Sequence, residues 1–183
     1  MYDWLSYFVG KYIITGGSGV TEKEKNEVVE RELKMVWQIC VTRLCGYEVS
    51  SIEDVCQEVF MRWLDSGKEF DSPEHEKAWF IRTTLNCCTD VFRAAKKAPL
   101  PLDECEYLIG SGSADERLAA SEIIKEILSL PEAERDAAYL SFVEGYSADE
   151  IAKLLGKLPQ TIRKRLSRAR EKLRIVLKGD QNG

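Results

Sequence analysis

A single histidine and five prolines are spread over 183 residues, and none of the six cysteines belongs to a Cys-x-x-Cys pair. Each absence excludes a class of function. A structural zinc site needs four convergent ligands at recognisable spacing. Cys40, Cys45, Cys56, Cys87, Cys88 and Cys105, with the lone His75, do not supply one. The cysteines fall largely on apolar helical faces, so they are expected to stay reduced and buried as small hydrophobes. No nucleophile–base pair or phosphate loop is present, so neither an enzyme nor a cofactor is expected. No run of about 18 apolar residues occurs, so no membrane span is expected. Met1-Tyr2-Asp3-Trp4-Leu5 lacks a basic segment and carries an acid. It does not read as a secretion signal, and a cytoplasmic chain is expected.

An apolar fraction of 44% suffices for a core, and its patterning is helical throughout. The spacing predicts a helix over 21–45, with a face of Val28, Leu33, Val36, Trp37, Cys40, Val41 and Leu44. Ser51 is expected to cap a second helix that buries Val55, Val59, Phe60, Trp63 and Leu64. A loop with Gly67, Phe70, Asp71 and Pro73 leads to a long helix over 74–97, with Trp79 on its buried side. Pro99, Pro101 and the run Gly110-Ser111-Gly112-Ser113 mark a flexible acidic linker over 98–117. Helical period resumes at Leu118. The expected fold is all-α, with small helical domains over 1–97 and 118–178 and a tail over 179–183. Residues 1–20 are expected to add a helix docked on the first domain.

The most informative stretch runs from Glu144 to Lys178. Ser147 and Glu150 have capping-box spacing, in which each side chain satisfies a free N–H at a helix start. Ile151, Leu154 and Leu155 form the apolar stripe of a short helix, and Gly156 supplies a left-handed stop. Pro159 suits the first turn of a second helix. Its apolar residues Ile162, Leu166, Ala169, Leu173 and Val176 step by four, three, four and three. Two short helices, a tight turn and a basic second helix describe a helix-turn-helix that reads a DNA major groove. Charge supports this. The chain is acidic at −5, yet residues 157–178 hold nine basic residues and one acid. That local balance of +8 leaves −13 for the remainder, a segregation suited to one DNA-facing surface.

The first domain carries a second signature. Ile52-Glu53-Asp54-Val55-Cys56-Gln57-Glu58-Val59-Phe60 resembles the acidic-Gln-Glu-apolar-Phe pattern of sigma factor region 2. Phe70-Asp71, Lys77-Ala78-Trp79, Arg82, Asn86, Asp90 and Arg93 follow in the order of that region. Leu130-Pro131, Arg135, Glu144-Gly145 and Arg168-Ala169-Arg170 are similar to region 4. With these two regions alone, over most of residues 25–176, the chain resembles the extracytoplasmic-function group of bacterial sigma factors. Lys157-Leu158 departs from the family's turn, and Leu158 is a poor N-cap.

The resemblance implies a protein that binds core RNA polymerase and directs promoter-specific initiation. Asp54, Gln57, Glu58 and Arg62 form a polar face able to set register on another protein. The resemblance makes that partner the clamp helices of the large polymerase subunit. Lys77, Arg82, Asn86 and Arg93 on the third helix would engage the −10 element, with phosphate contacts and capture of an unstacked base. The loop from Ser66 to Glu76 would complete that pocket. In the helix-turn-helix, Gln160, Arg163, Lys164, Ser167 and Arg168 would face the −35 element, while Thr161 and Arg165 would hold phosphate. An anti-sigma factor masking both domains is also implied. A stand-alone helix-turn-helix regulator is the alternative, and a degenerate sigma that sequesters a partner is a third class.

Overall fold

The computed structural model describes residues 21–94 and 123–179, and these residues are helical with no strand among them. The all-α expectation holds. The helices are α1 Glu22–Leu44, α2 Val49–Ser66, α3 Pro73–Ala94, α4 Glu132–Phe142, α5 Ala148–Leu155 and α6 Pro159–Gly179. A further helical segment covers 123–128. Two compact units separate, one of Met1–Cys40 with Glu48–Lys96 and one of Val41–Tyr47 with Lys97–Gly183. The expected extra N-terminal helix, the linker over 98–117 and most of the tail lie outside the described residues.

In the first unit, α1 starts with a capping box. The Thr21 hydroxyl accepts from the Glu24 N–H at 3.3 Å, and the Thr21 N–H donates to Glu24 Oε2 at 2.8 Å. The α2 start differs from expectation. Glu48 occupies the N-cap without a side-chain cap, and the helix begins at Val49. Ser51 already donates its N–H to the Glu48 carbonyl at 2.9 Å, so it lies inside the first turn and caps nothing. Ile52, Val55, Val59 and Phe60 of α2 and Phe80, Ile81 and Leu85 of α3 are buried. The Phe60 and Phe80 rings pack 5.3 Å apart, and Trp63 lies 5.9 Å from Phe80. Trp79, expected in the core, is half-buried; it turns its ring edge-on to Phe70 and Phe80 at 6.0 and 5.3 Å. It thereby anchors the α2–α3 loop to α3.

Polar ties cross the same seam. The Trp63 indole N–H donates to Glu76 Oε1 at 2.9 Å, and Arg31 pairs with the other oxygen of Glu76. One carboxylate thus joins three helices while its side chain is 13% exposed. Glu76→Ala should destabilise this unit by about 1–3 kcal/mol, because the part-buried Trp63 indole N–H loses its acceptor and Arg31 keeps only Glu32. Urea unfolding would measure it; an unchanged midpoint would remove the network from the unit's stability.

The thiols follow the packing expectation with one correction. Cys40, Cys56, Cys87 and Cys88 are free and buried, and the Cys40 and Cys56 sulfurs touch at 3.7 Å. Burial first, and the neighbouring thiols second, push the Cys40 thiol well above its usual range. Burial raises Cys87 to about 11. Such thiols are protonated at neutral pH and serve as packing groups. Cys45, expected to be reduced, is instead disulfide-bonded. It stands past the end of α1 beside the Gly46 turn, where sulfur can meet another chain segment rather than fill a helix seam.

The second unit is built around α6, which packs against α4 and α5. Ile162, Leu166 and Ala169 of α6 are buried, as are Ala137, Tyr139 and Leu140 of α4 and Ile151 and Ala152 of α5. The four-three spacing read from the sequence is the spacing of this buried stripe.

Candidate nucleic-acid and partner interfaces

The α5–α6 pair has the local geometry of a helix-turn-helix. Ser147 Oγ accepts from the Glu150 N–H at 3.3 Å, and the Ser147 N–H donates to Glu150 Oε2 at 2.8 Å. Both halves of the expected capping box are present. Hydrogen bonds from the Ser147 hydroxyl and N–H hold the Glu150 carboxyl below its usual range. Its folded pKa is depressed, so the box contributes fully above the unfolded carboxylate pKa. The contribution fades as pH falls through the lower folded value. Gly156 ends α5 at φ 60°, a left-handed conformation in which a side chain would be strained. The Leu158 carbonyl accepts from Thr161 and Ile162 at 2.9 and 3.3 Å, starting α6, while its side chain is 72% exposed. Ser147→Ala should cost about 1 kcal/mol of unfolding free energy in the second unit. A thermal melt with no shift would contradict this role for the box.

The α6 side chains sort by partner. Gln160, Arg163, Lys164, Ser167 and Arg168 are all exposed, so the structure gathers these five expected residues on the outer side of the helix. Lys164 and Arg168 make no ion pair among the described residues. Arg163 does: its Nη2 donates to both carboxylate oxygens of Asp149 in α5, at 2.8 and 3.1 Å. Thr161 and Arg165 are half-buried at the edge of the face. Burial raises the Asp136 carboxyl of α4, and the charges of Arg43, 3.3 Å away, and then of Arg165 pull it back. Arg170 lies over the Phe142 ring at 5.7 Å, and Lys172 meets Glu134 at 3.0 Å. The basic helix therefore uses some cations to hold its own unit together and presents others to solvent. Sequence reasoning missed Asp149, because a contact 14 residues apart across a turn has no helical period.

In α2, Asp54, Gln57, Glu58 and Arg62 share one face at helical spacing. Asp54, Glu58 and Arg62 are exposed and Gln57 is half-buried. Arg62 donates to Glu58 at 2.7 Å, whereas Asp54 and Gln57 engage no described residue. In α3, Arg82, Asn86 and Arg93 are exposed and fall within one stripe, with Arg93 3.2 Å from Asp90. Lys77 is not part of that stripe. Its spacing aligns it with Ile81, Thr84 and Cys88, the buried face, and it is half-buried. Glu76, at the end of the expected pocket loop, is committed to Trp63 and Arg31. His75 lies in the first turn of α3 with Nδ1 3.2 Å from Asp71. Among the described residues no group of ligands could hold a metal ion, and no helix is long and apolar enough to cross a membrane.

A packed helical unit with a polar outer stripe, followed by a helix-turn-helix with exposed outer cations, has the form of a DNA-binding protein. Residues 28–98 match Sigma-70 region 2, and residues 120–173 match Sigma-70, region 4. The chain belongs to the sigma-70 family of sigma factors. It is 28% identical to the RNA polymerase sigma factor SigV of Bacillus subtilis over 124 residues, 68% of this chain and 74% of that one. It is 29% identical to the probable RNA polymerase sigma factor RfaY of Xanthomonas campestris over 142 residues, 71% of this chain. That match spans only 35% of the Xanthomonas protein's length. The fold is similar to the sigma factor RpoE of Bartonella quintana, solved with the anti-sigma factor NepR. There the TM-score is 0.59 at 22% identity, covering 86% of this chain and 98% of that one.

Proposed function

We propose that this chain binds core RNA polymerase and directs it to a set of promoters, acting in the cytoplasm without catalytic chemistry of its own. The observation that carries the reading is the order of modules, region 2 over 28–98 and region 4 over 120–173. A stand-alone regulator needs only the second. Domain limits of 1–97 and 118–178 around a linker fit that order. In this reading Asp54, Gln57, Glu58 and Arg62 meet the clamp helices of the large polymerase subunit. Arg82, Asn86 and Arg93 engage the melted −10 element, with Lys77 at most a flanking contact given its half-buried position. The exposed face of α6 reads the −35 element, and an anti-sigma factor would regulate the protein by covering these faces.

The test is transcription in vitro with purified core polymerase, this protein and fragments of its own genome. Discrete start sites that require the protein are the expected result. DNA binding without any transcript would replace this reading with the stand-alone regulator.

A further inference from the structure

Of the three expected base-facing cations Arg163, Lys164 and Arg168, Arg163 alone pairs with another helix among the described residues, and the pair deepens the DNA reading on which this inference rests. Its Nη2 contacts both oxygens of Asp149, at 2.8 and 3.1 Å, while its Nε and Nη1 donors meet no described residue. Both side chains are well exposed, at 60% and 61%. An exposed pair of this kind adds little to stability. Its effect is on geometry: a guanidinium held by one nitrogen keeps its remaining donors in a set direction. Asp149 is available for this because the neighbouring Glu150 is committed to the capping box. A carboxylate in the first turn of α5 also sits favourably at the positive end of the helix.

We propose that Asp149 is a positioning residue that determines base specificity, aiming Arg163 at a guanine edge in the major groove and away from the phosphates. In helix-turn-helix docking the early residues of the second helix reach base edges while the first helix crosses the backbone. Arginine on guanine O6 and N7 is the commonest specific contact in that groove. A carboxylate attached to the same guanidinium offsets its charge, which weakens it as a phosphate clamp and leaves its hydrogen-bond direction intact. Lys164 and Arg168, which carry no such partner among the described residues, keep their full charge on the same face.

The experiment compares wild type, Asp149→Ala, Asp149→Asn and Arg163→Ala, each as the full chain with core polymerase. Binding is measured on a promoter and on its single-base variants across the −35 element, at several salt concentrations. Wild type and Arg163→Ala should differ at one guanine position. Asp149→Ala should lose roughly 3- to 10-fold of the discrimination at that same position, the range expected when one side chain is no longer pre-ordered. Affinity for unrelated DNA should hold or rise, and the salt dependence should steepen by about one phosphate contact as Arg163 turns to the backbone. Asp149→Asn should fall between the two, Arg163→Ala should melt as wild type does, and the Asp149 variants should lose only the small helix-dipole contribution. If Asp149→Ala keeps wild-type discrimination where Arg163→Ala loses it, the positioning role is wrong and the DNA reading stands. If wild type shows no base preference at all, the DNA reading itself is overturned and the inference goes with it.

Discussion

Replacing Arg163 and Arg168 together with alanine is expected to weaken promoter binding by roughly thirtyfold or more, while association with core polymerase is unchanged. The size follows from what each side chain can supply. A well-placed arginine on a base edge contributes about 1–3 kcal/mol of discrimination, and each 1.4 kcal/mol is about tenfold in affinity. Both residues lie on the exposed side of α6, clear of the buried stripe of Ile162, Leu166 and Ala169. Their removal therefore opens no cavity and should leave the melting temperature in place. The separation of effects is the critical part, since the residues proposed to face polymerase sit on a different helix of a different unit. A pull-down in which the double variant loses polymerase and DNA to the same extent would refute the division of labour. Lys172 and Arg170 make the useful contrast. They are tied to Glu134 and Phe142, so replacing them should lower stability first and DNA affinity only as a consequence.

The contrast between these cations also marks what a sequence can disclose. The capping box of Ser147 and Glu150, the Gly156 stop and the apolar stripe of α6 were all legible, because each depends on residues three or four apart. The same locality made the exposed faces of α2 and α6 readable. Where a contact joined separate helices, the sequence had no period to offer. Asp149 on Arg163, Glu76 between Trp63 and Arg31, and Cys40 against Cys56 are of this kind. One departure is local. Ser51 looked like a cap because serine is a good one, yet the chain had already turned at Glu48, whose carbonyl takes the Ser51 N–H. Lys77 shares its charge with Arg82, yet five and nine positions of helix set it on a different face from Arg82 and Asn86, where it is half-buried. For the disulfide at Cys45 no spacing signal existed.

Asp54→Ala combined with Gln57→Ala is expected to cut association with core polymerase by roughly tenfold or more without unfolding the chain. The neighbouring pair explains the choice. Glu58 and Arg62 satisfy each other at 2.7 Å, so they present a nearly neutral patch. Asp54 is exposed and Gln57 half-buried, and neither has a partner among the described residues. These side chains retain hydrogen-bonding capacity for another protein. Truncating one side of a desolvated, hydrogen-bonded charge contact at an interface typically costs about 2–5 kcal/mol, much of it from the group left unpaired across the interface. By contrast, surface substitutions away from caps and cores usually move stability by no more than about 0.5 kcal/mol. The buried side of α2, with Ile52, Val55, Val59 and Phe60, is untouched by the double change. Denaturation midpoints matching wild type, together with lost polymerase binding, would place this face in the interface. Unchanged binding would remove it and direct attention to the exposed stripe of α3, where Arg82 and Asn86 would then have to serve both polymerase and DNA.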